Sequence, residues 1–295
     1  MIGKYKEFFR NATNYEPYPY QESIFSLLQE RKSVVLRAPT GSGKTLAVLM
    51  PFLYNVKIGN RLADRVIYAL PMRSLAFDLY NSTAIIARKS GFSIIEDPEK
   101  RTNKANELCI TIQTGERQND HYFDGDIIFT TIDQLLSGYL TIPVSLPGRL
   151  GNINIGAIIG SLVVFDEVHL MEFQRSFLTA VEMMNRFKDL AQFFVMTATL
   201  TEPTQEWLVK KIKAESITCR LNELRSASGY QEKSREYTFV EEPLSVANII
   251  KEHKHKTLVL CNTVRRSQII YSQLKDAFKN TNVALLHSRF FKKDR

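Results

Sequence analysis

Residues 33–46 read Ser33-Val34-Val35-Leu36-Arg37-Ala38-Pro39-Thr40-Gly41-Ser42-Gly43-Lys44-Thr45-Leu46. The first five form a short β-rich run, the eight from Ala38 to Thr45 a glycine-containing turn, and an apolar helical pattern opens at Leu46. Strand, turn and helix in that order make a P-loop in the context it requires. Its glycines let backbone amides turn inward around phosphates, Lys44 reaches the β- and γ-phosphates of ATP, and the Thr45 hydroxyl can ligate Mg²⁺. Ala38, Pro39, Thr40, Gly41, Ser42, Gly43, Lys44 and Thr45 are therefore the candidate nucleotide cradle.

The same alternation extends outward. Short apolar runs at Arg65–Leu70, Leu108–Gln113, Asp126–Thr131, Ser161–Phe165 and Phe193–Thr197 are each followed by a polar turn and usually a helical pattern. This order predicts an α/β fold with a mostly parallel sheet covered by helices on both faces. Met171–Leu190 has helical spacing, with Phe173, Phe177, Ala180, Val181 and Met184 on one stripe. A polar, aperiodic segment places a linker at 216–236, between a first domain at 1–215 and a second at 237–295. In the second, strands are expected at Tyr237–Val240, Thr257–Cys261 and Val283–Leu286, with helices at Leu244–His253 and Val264–Phe278.

Asp166-Glu167-Val168-His169 follows the buried-strand pattern Leu162–Phe165, at the strand end where open α/β sheets bind ligands. Adjacent carboxylates there can divide the work. Asp166 holds Mg²⁺, while Glu167 orients and deprotonates the attacking water.

Composition limits the alternatives. The 295 residues carry a net charge of +8 and are 44% hydrophobic, which excludes disorder and mini-protein scaffolds. Cys109, Cys219 and Cys261 are too scattered for a disulfide framework or a CxxC zinc pair, which fits a reducing, cytoplasmic setting. No signal peptide is recognisable, and no uncharged apolar stretch reaches the ~18 residues of a membrane span. Residues 221–295 hold 14 Lys and Arg against 8 Asp and Glu, a surplus that suits either a polyanion partner or a solvated surface.

Together these motifs resemble the superfamily 2 helicases, built from two RecA-like domains. The resemblance implies that Gln21, in Pro17-Tyr18-Pro19-Tyr20-Gln21, reads the adenine edge. It implies that Thr197 and Thr199 of Thr197-Ala198-Thr199, with His169, couple the nucleotide site to a nucleic-acid track. Arg73 of Pro71-Met72-Arg73, Gln113 of Gln113-Thr114-Gly115, and Thr130-Thr131 match places where the family grips a strand's backbone. The Asp-Glu-Val-His form, and Leu285-Leu286-His287-Ser288-Arg289-Phe290 followed by Asp294-Arg295, are similar to the helicase of type I CRISPR interference. That likeness implies an ATP- and Mg²⁺-dependent motor on single-stranded DNA, working with a guide-RNA surveillance complex in antiviral defence. The family's HD nuclease has no counterpart here, so it is expected on a separate polypeptide. The family's last two motifs, with their arginine fingers, are also missing, so the second RecA-like domain is expected to be incomplete and turnover weak. Another DNA or RNA helicase of the superfamily, or a non-catalytic ATP- and nucleic-acid-binding module, remains open from the residues alone.

Overall fold

The computed structural model describes residues 1–102, 104, 106–220, 224, 236, 238–241, 243–278 and 282–290. Contacts divide the chain into two compact units, Met1–Glu232 and Lys233–Arg295.

The first unit contains, in chain order, α1 (Ile2–Thr13), α2 (Pro19–Gln29), β1 (Ser33–Arg37), α3 (Lys44–Lys57), β2 (Val66–Leu70), α4 (Arg73–Lys89), β3 (Ser93–Ile95), β4 (Glu107–Gln113) and β5 (Ile127–Thr131). It continues with α5 (Ile132–Tyr139), α6 (Ile153–Ile158), β6 (Leu162–Phe165), α7 (Leu178–Phe187), β7 (Gln192–Thr197), α8 (Glu202–Ile212) and β8 (Ala214–Thr218). The strands form one sheet in the order β3-β4-β5-β2-β6-β7-β1-β8, and every pairing is parallel.

Strand alternation explains the two cores. Val34 and Leu36, Tyr68 and Leu70, Val164, and Phe194 and Met196 face the layer made by α1 to α4. Val35, Ile67, Ala69, Val163, Phe165, Phe193 and Val195 face the layer made by α5 to α8. Because both faces are covered, the central strands read as unbroken apolar runs. On the first face, Tyr5 stacks on Phe25 with ring centroids 4.0 Å apart and meets Tyr54 edge-on at 5.7 Å, which docks α1 onto α2 and α3.

The six strands expected in this unit are present, with ends within a residue of those expected. Two more were not legible. β3 is three residues long and β8, Ala-Glu-Ser-Ile-Thr, is largely exposed. Both are edge strands, and edges are often short or polar because one side has no partner to bury against. β8 pairs with β1 from Ser33↔Ala214 to Arg37↔Thr218, so the sheet runs past the boundary expected at 215. Most of the remaining linker, including Gly229, lies outside the described residues.

Met171–Leu190 is not one regular helix. Phe173–Phe177 form a π-helical turn ahead of α7, and the wider turn takes Phe173 off the stripe to 61% exposure while Phe177, Ala180, Val181 and Met184 stay buried. Trp207 packs against this unit along one side only: its ring is 6.4 Å from Phe177 and the residue is 43% exposed.

In the second unit, helices Val246–Glu252 and Val264–Ala277 pack through Ile249, Ile270 and Leu274. The segments Thr257–Cys261 and Val283–Leu286, expected as strands, have no strand or ladder partner among the described residues. A strand needs a ladder partner, and with none described Leu258 and Leu260 stay more than four-fifths exposed. Tyr237, in the other expected strand, and Lys292, Lys293, Asp294 and Arg295 lie outside the described residues. No helix among the described residues is long and apolar enough to cross a membrane.

Phe25→Ala removes the ring on which Tyr5 stacks and should cost about 3–5 kcal/mol of first-unit stability, read as a lower urea midpoint. A change below about 1 kcal/mol would show that this stack does not hold α1 in place.

Candidate nucleotide and nucleic-acid site

The turn between β1 and α3 is shaped by Gly41 and Gly43, at φ +78° and +84°, a region other residues enter only at a cost. Gly43 is also closely approached: a Cβ there would lie 2.9 Å from Gln21 Nε2. Gln21 is fully inside the structure, with Nε2 donating to the Gly43 carbonyl at 2.9 Å and Oε1 accepting from the Tyr18 amide at 2.8 Å. Tyr20 donates to the Ser42 carbonyl at 2.7 Å. The structure thus brings Gln21 to the P-loop as a brace, with one amide N–H still to offer.

Lys44 begins α3 and is buried, and its ammonium lies 3.3 Å from the carbonyls of Ala38 and Pro39 and 3.7 Å from Glu167 Oε1. The Ser42 hydroxyl is buried and makes no hydrogen bond. A lysine held on the loop's own carbonyls, beside a buried hydroxyl without a partner, is a pocket equipped for an anion.

Asp166 follows β6, with Oδ1 accepting from the Glu167 amide at 2.8 Å and Oδ2 from the Tyr68 hydroxyl at 2.9 Å. Burial pushes its carboxyl up to about 6; the Glu167 charge adds to this, while the Tyr68 hydrogen bond, Lys44 and the Glu167 amide oppose it. Glu167 stands at φ +49° and ψ +44°, a left-handed conformation costing about 1–3 kcal/mol in a residue with a side chain. That turn aims its carboxylate between Lys44 and His169, whose Nδ1 is 3.4 Å from Oε2. His169 Nδ1 also lies 2.9 Å from Thr197 Oγ1, which accepts from the Thr199 amide at 3.3 Å. Lys44, Glu167, His169, Thr197 and Thr199 therefore form one continuous path.

Thr45 and Asp166 supply hard oxygen donors on either side of the Tyr68 hydroxyl, 3.5 Å and 2.9 Å away. Glu167 Oε2 makes no hydrogen bond. This donor set fits Mg²⁺, which takes one or two protein oxygens and completes its shell with water and phosphate.

The four strand-gripping candidates lie on the adjoining stretch of the same edge, at the carboxyl ends of β2, β5 and β4. Arg73 starts α4, its guanidinium packs against Gly115, and it pairs with Glu116 at 3.7 Å. Gln113 and Thr130 are register partners and fully buried, and Gln113 Nε2 and Thr130 Oγ1 make no hydrogen bond. Thr131 caps α5, accepting from the Gln134 amide at 3.4 Å, so one hydroxyl lone pair serves the helix.

Three supporting groups escaped sequence reasoning. Tyr68 looks like a core aromatic until the sheet order sets β2 beside β6. Asp120 is a buried carboxylate that accepts from Thr111 Oγ1 at 2.7 Å and from the amides of Asp124 and Gly125 at 2.7 and 2.8 Å. Its own amide donates to Gln113 Oε1 at 3.1 Å, which fixes that side chain. Arg117 stacks 4.1 Å above the Phe77 ring, beside the Gly115 turn. The last two sit in a loop with no distinctive spacing.

Comparison with known proteins identifies the family of the chain. The family described as DEAD/DEAH box helicase matches residues 18–207, and the family described as CRISPR-associated nuclease/helicase Cas3, C-terminal, matches residues 253–295. A putative CRISPR-associated nuclease/helicase Cas3 of Methanocaldococcus jannaschii is 24% identical over 96% of this chain and 38% of its own length. The CRISPR-associated helicase Cas3 of Thermoproteus tenax is 24% identical over 89% of this chain and 44% of its own. The chain thus spans roughly two-fifths of either relative. Among solved structures, the DUF1998 helicase MrfA superposes with a TM-score of 0.61 at 20% identity, over 94% of this chain and 42% of that one, a likeness of fold.

The raised Asp166 carboxyl has a stability consequence. An acid whose folded-state pKa of about 6 exceeds its ordinary 3.8 stabilises the fold when protonated, and that contribution is lost as pH rises through 6. In Mg²⁺-free buffer, Asp166→Asn should therefore raise unfolding free energy by about 1–3 kcal/mol at pH 8 and by clearly less at pH 5. Equal urea midpoint shifts at the two pH values would contradict the assignment.

Proposed function

The chain belongs to the DEAD/DEAH box helicase family, and we propose that it couples ATP hydrolysis with Mg²⁺ to movement on single-stranded DNA in type I CRISPR interference. The observation that carries the reading is the path from the P-loop lysine through Glu167 and His169 to Thr197, with contacts of 3.7, 3.4 and 2.9 Å. It links the P-loop to the ends of β6 and β7, on the same sheet edge that carries Arg73, Gln113, Thr130 and Thr131 further along. Likeness to two CRISPR-associated helicases over about nine-tenths of the chain supports the biological setting.

In this reading the backbone amides of the turn at 41–45 and the amino end of α3 receive the β- and γ-phosphates. Lys44 exchanges the Ala38 and Pro39 carbonyls for phosphate oxygens. Thr45 and Asp166 would hold Mg²⁺, which would supply positive charge against the negative charge of the phosphates. Loss of the Lys44 contact frees Glu167 to accept the proton of the attacking water. Its carboxylate stays beside His169, so a change at the phosphate reaches Thr197 and Thr199 through side chains already in contact. Gln21 offers its remaining amide N–H to the adenine edge.

On the strand side, Arg73 meets a backbone phosphate and the Thr131 hydroxyl supplies a polar contact, with the fully buried Gln113 and Thr130 lying beneath them; such a grip positions a strand without reading its bases. Residues 237–295 would contribute part of the second RecA-like domain. A guide-RNA surveillance complex, an HD-type nuclease and a cytoplasmic setting belong to the same proposal.

Nucleotide binding should be lost in Lys44→Ala and kept in Glu167→Gln. The latter should lower DNA-stimulated ATP turnover by about 10²–10⁴-fold. Steady-state hydrolysis of ATP with single-stranded DNA or RNA checks this. Stimulation by RNA alone would move the substrate to RNA, and turnover unaffected by Glu167→Gln would remove the catalytic assignment.

Arg73→Ala should weaken single-stranded DNA binding and reduce the slope of log affinity against log salt by about 0.7, the contribution of one phosphate contact. An unchanged slope in anisotropy titrations would take Arg73 off the track.

A further inference from the structure

Tyr68 is fully buried in β2, and its ring lies 5.4 Å from that of Phe129. Its hydroxyl is 2.9 Å from Asp166 Oδ2, 3.5 Å from Thr45 Oγ1 and 3.9 Å from Met196 Sδ. The other Asp166 oxygen is taken by the Glu167 amide, so Tyr68 is the group that fixes Oδ2.

The chemistry of the two neighbours explains why a hydroxyl belongs there. A hydroxyl oxygen that gives a lone pair to a cation becomes a better proton donor and needs an acceptor pointing away from the metal. A carboxylate presenting oxygens to the same cation needs a donor to set its plane. One phenol can do both, since it carries one proton and can accept another hydrogen bond. We propose that Tyr68 is a positioning residue of the Mg²⁺–nucleotide site: its hydroxyl donates to Asp166 Oδ2 and stands beside Thr45 Oγ1, so that both ligands are held with lone pairs available to the cation. Apolar Met196 on its remaining side leaves this orientation as the one with polar partners. The proposal rests on the ATP-binding reading above and adds to it a residue that touches neither nucleotide nor metal.

The test is titration of the 295-residue chain with a fluorescent N-methylanthraniloyl-ADP, in EDTA and over a range of Mg²⁺. Tyr68→Phe should raise the half-saturating Mg²⁺ concentration by about tenfold or more, the loss of one hydrogen bond to a charged group. Its nucleotide affinity in EDTA should stay within about twofold of the unaltered chain. An unchanged Mg²⁺ dependence overturns the proposal, and so does an equal loss of affinity in EDTA, which would mark a purely structural role. Should Tyr68→Phe not fold, partly exposed Thr45 provides the second arm. Thr45→Val removes the hydroxyl and should raise the half-saturating Mg²⁺ concentration; wild-type behaviour in Thr45→Val overturns the bridge. If the unaltered chain binds no more nucleotide than Lys44→Ala, the ATP-binding reading itself fails and takes the bridge with it. Binding by the unaltered chain with no effect of Tyr68→Phe removes the bridge alone.

Discussion

All eight strands of the first unit run in the same direction, and the rest of the site depends on that constraint. In a wholly parallel sheet every carboxyl end opens on one edge, and hydrogen bonding sets those ends about 4.8 Å apart. The order β4-β5-β2-β6-β7-β1 therefore lays Gln113, Thr130, Arg73, Asp166, Thr197 and the P-loop along one line. Residues far apart in the chain become neighbours without any loop having to carry them there. The P-loop and the residues proposed to grip a strand share this edge because register leaves them no other place.

How much of this was legible follows from how each element is buried. β1, β2 and β4 to β7 are covered on both faces, so their apolar runs stand out from the turns around them. The P-loop and Asp166-Glu167 were readable because their chemistry requires particular residues at strand ends. β8 was hidden because an edge strand with Glu215 and Ser216 in it looks like a loop. Phe173 was misplaced because a π-helical turn breaks the spacing that the stripe assumes. Tyr68 could not be singled out, since its importance comes from β2 lying beside β6, which no local pattern encodes. In the second unit, segments with strand composition remain unpaired among the described residues, because composition suits a ladder but does not supply the neighbouring strand.

The electrostatics of the site are those of a pocket prepared for a ligand. Lys44 is balanced by loop carbonyls and by Glu167, a makeshift arrangement compared with phosphate oxygens. Asp166 is buried enough to keep its proton up to about pH 6, above the ordinary carboxylate range, while its proposed work requires the charged form. Glu167 holds a backbone conformation that a glycine would adopt more easily. Each of these is a local cost tolerated by the two hydrophobic layers. Strain concentrated at the edge and rigidity beneath it are the same design seen from two sides.

That imbalance reaches beyond catalysis into the lifetime of the protein in a cell. A ligand bound only by the folded chain adds RT ln(1 + [L]/Kd) to its stability, about 2.7 kcal/mol at a hundredfold excess over Kd. If the site binds nucleotide as proposed, ATP would add this increment to the folded chain, so the nucleotide supply would bear on how long the protein stays folded as well as on its turnover.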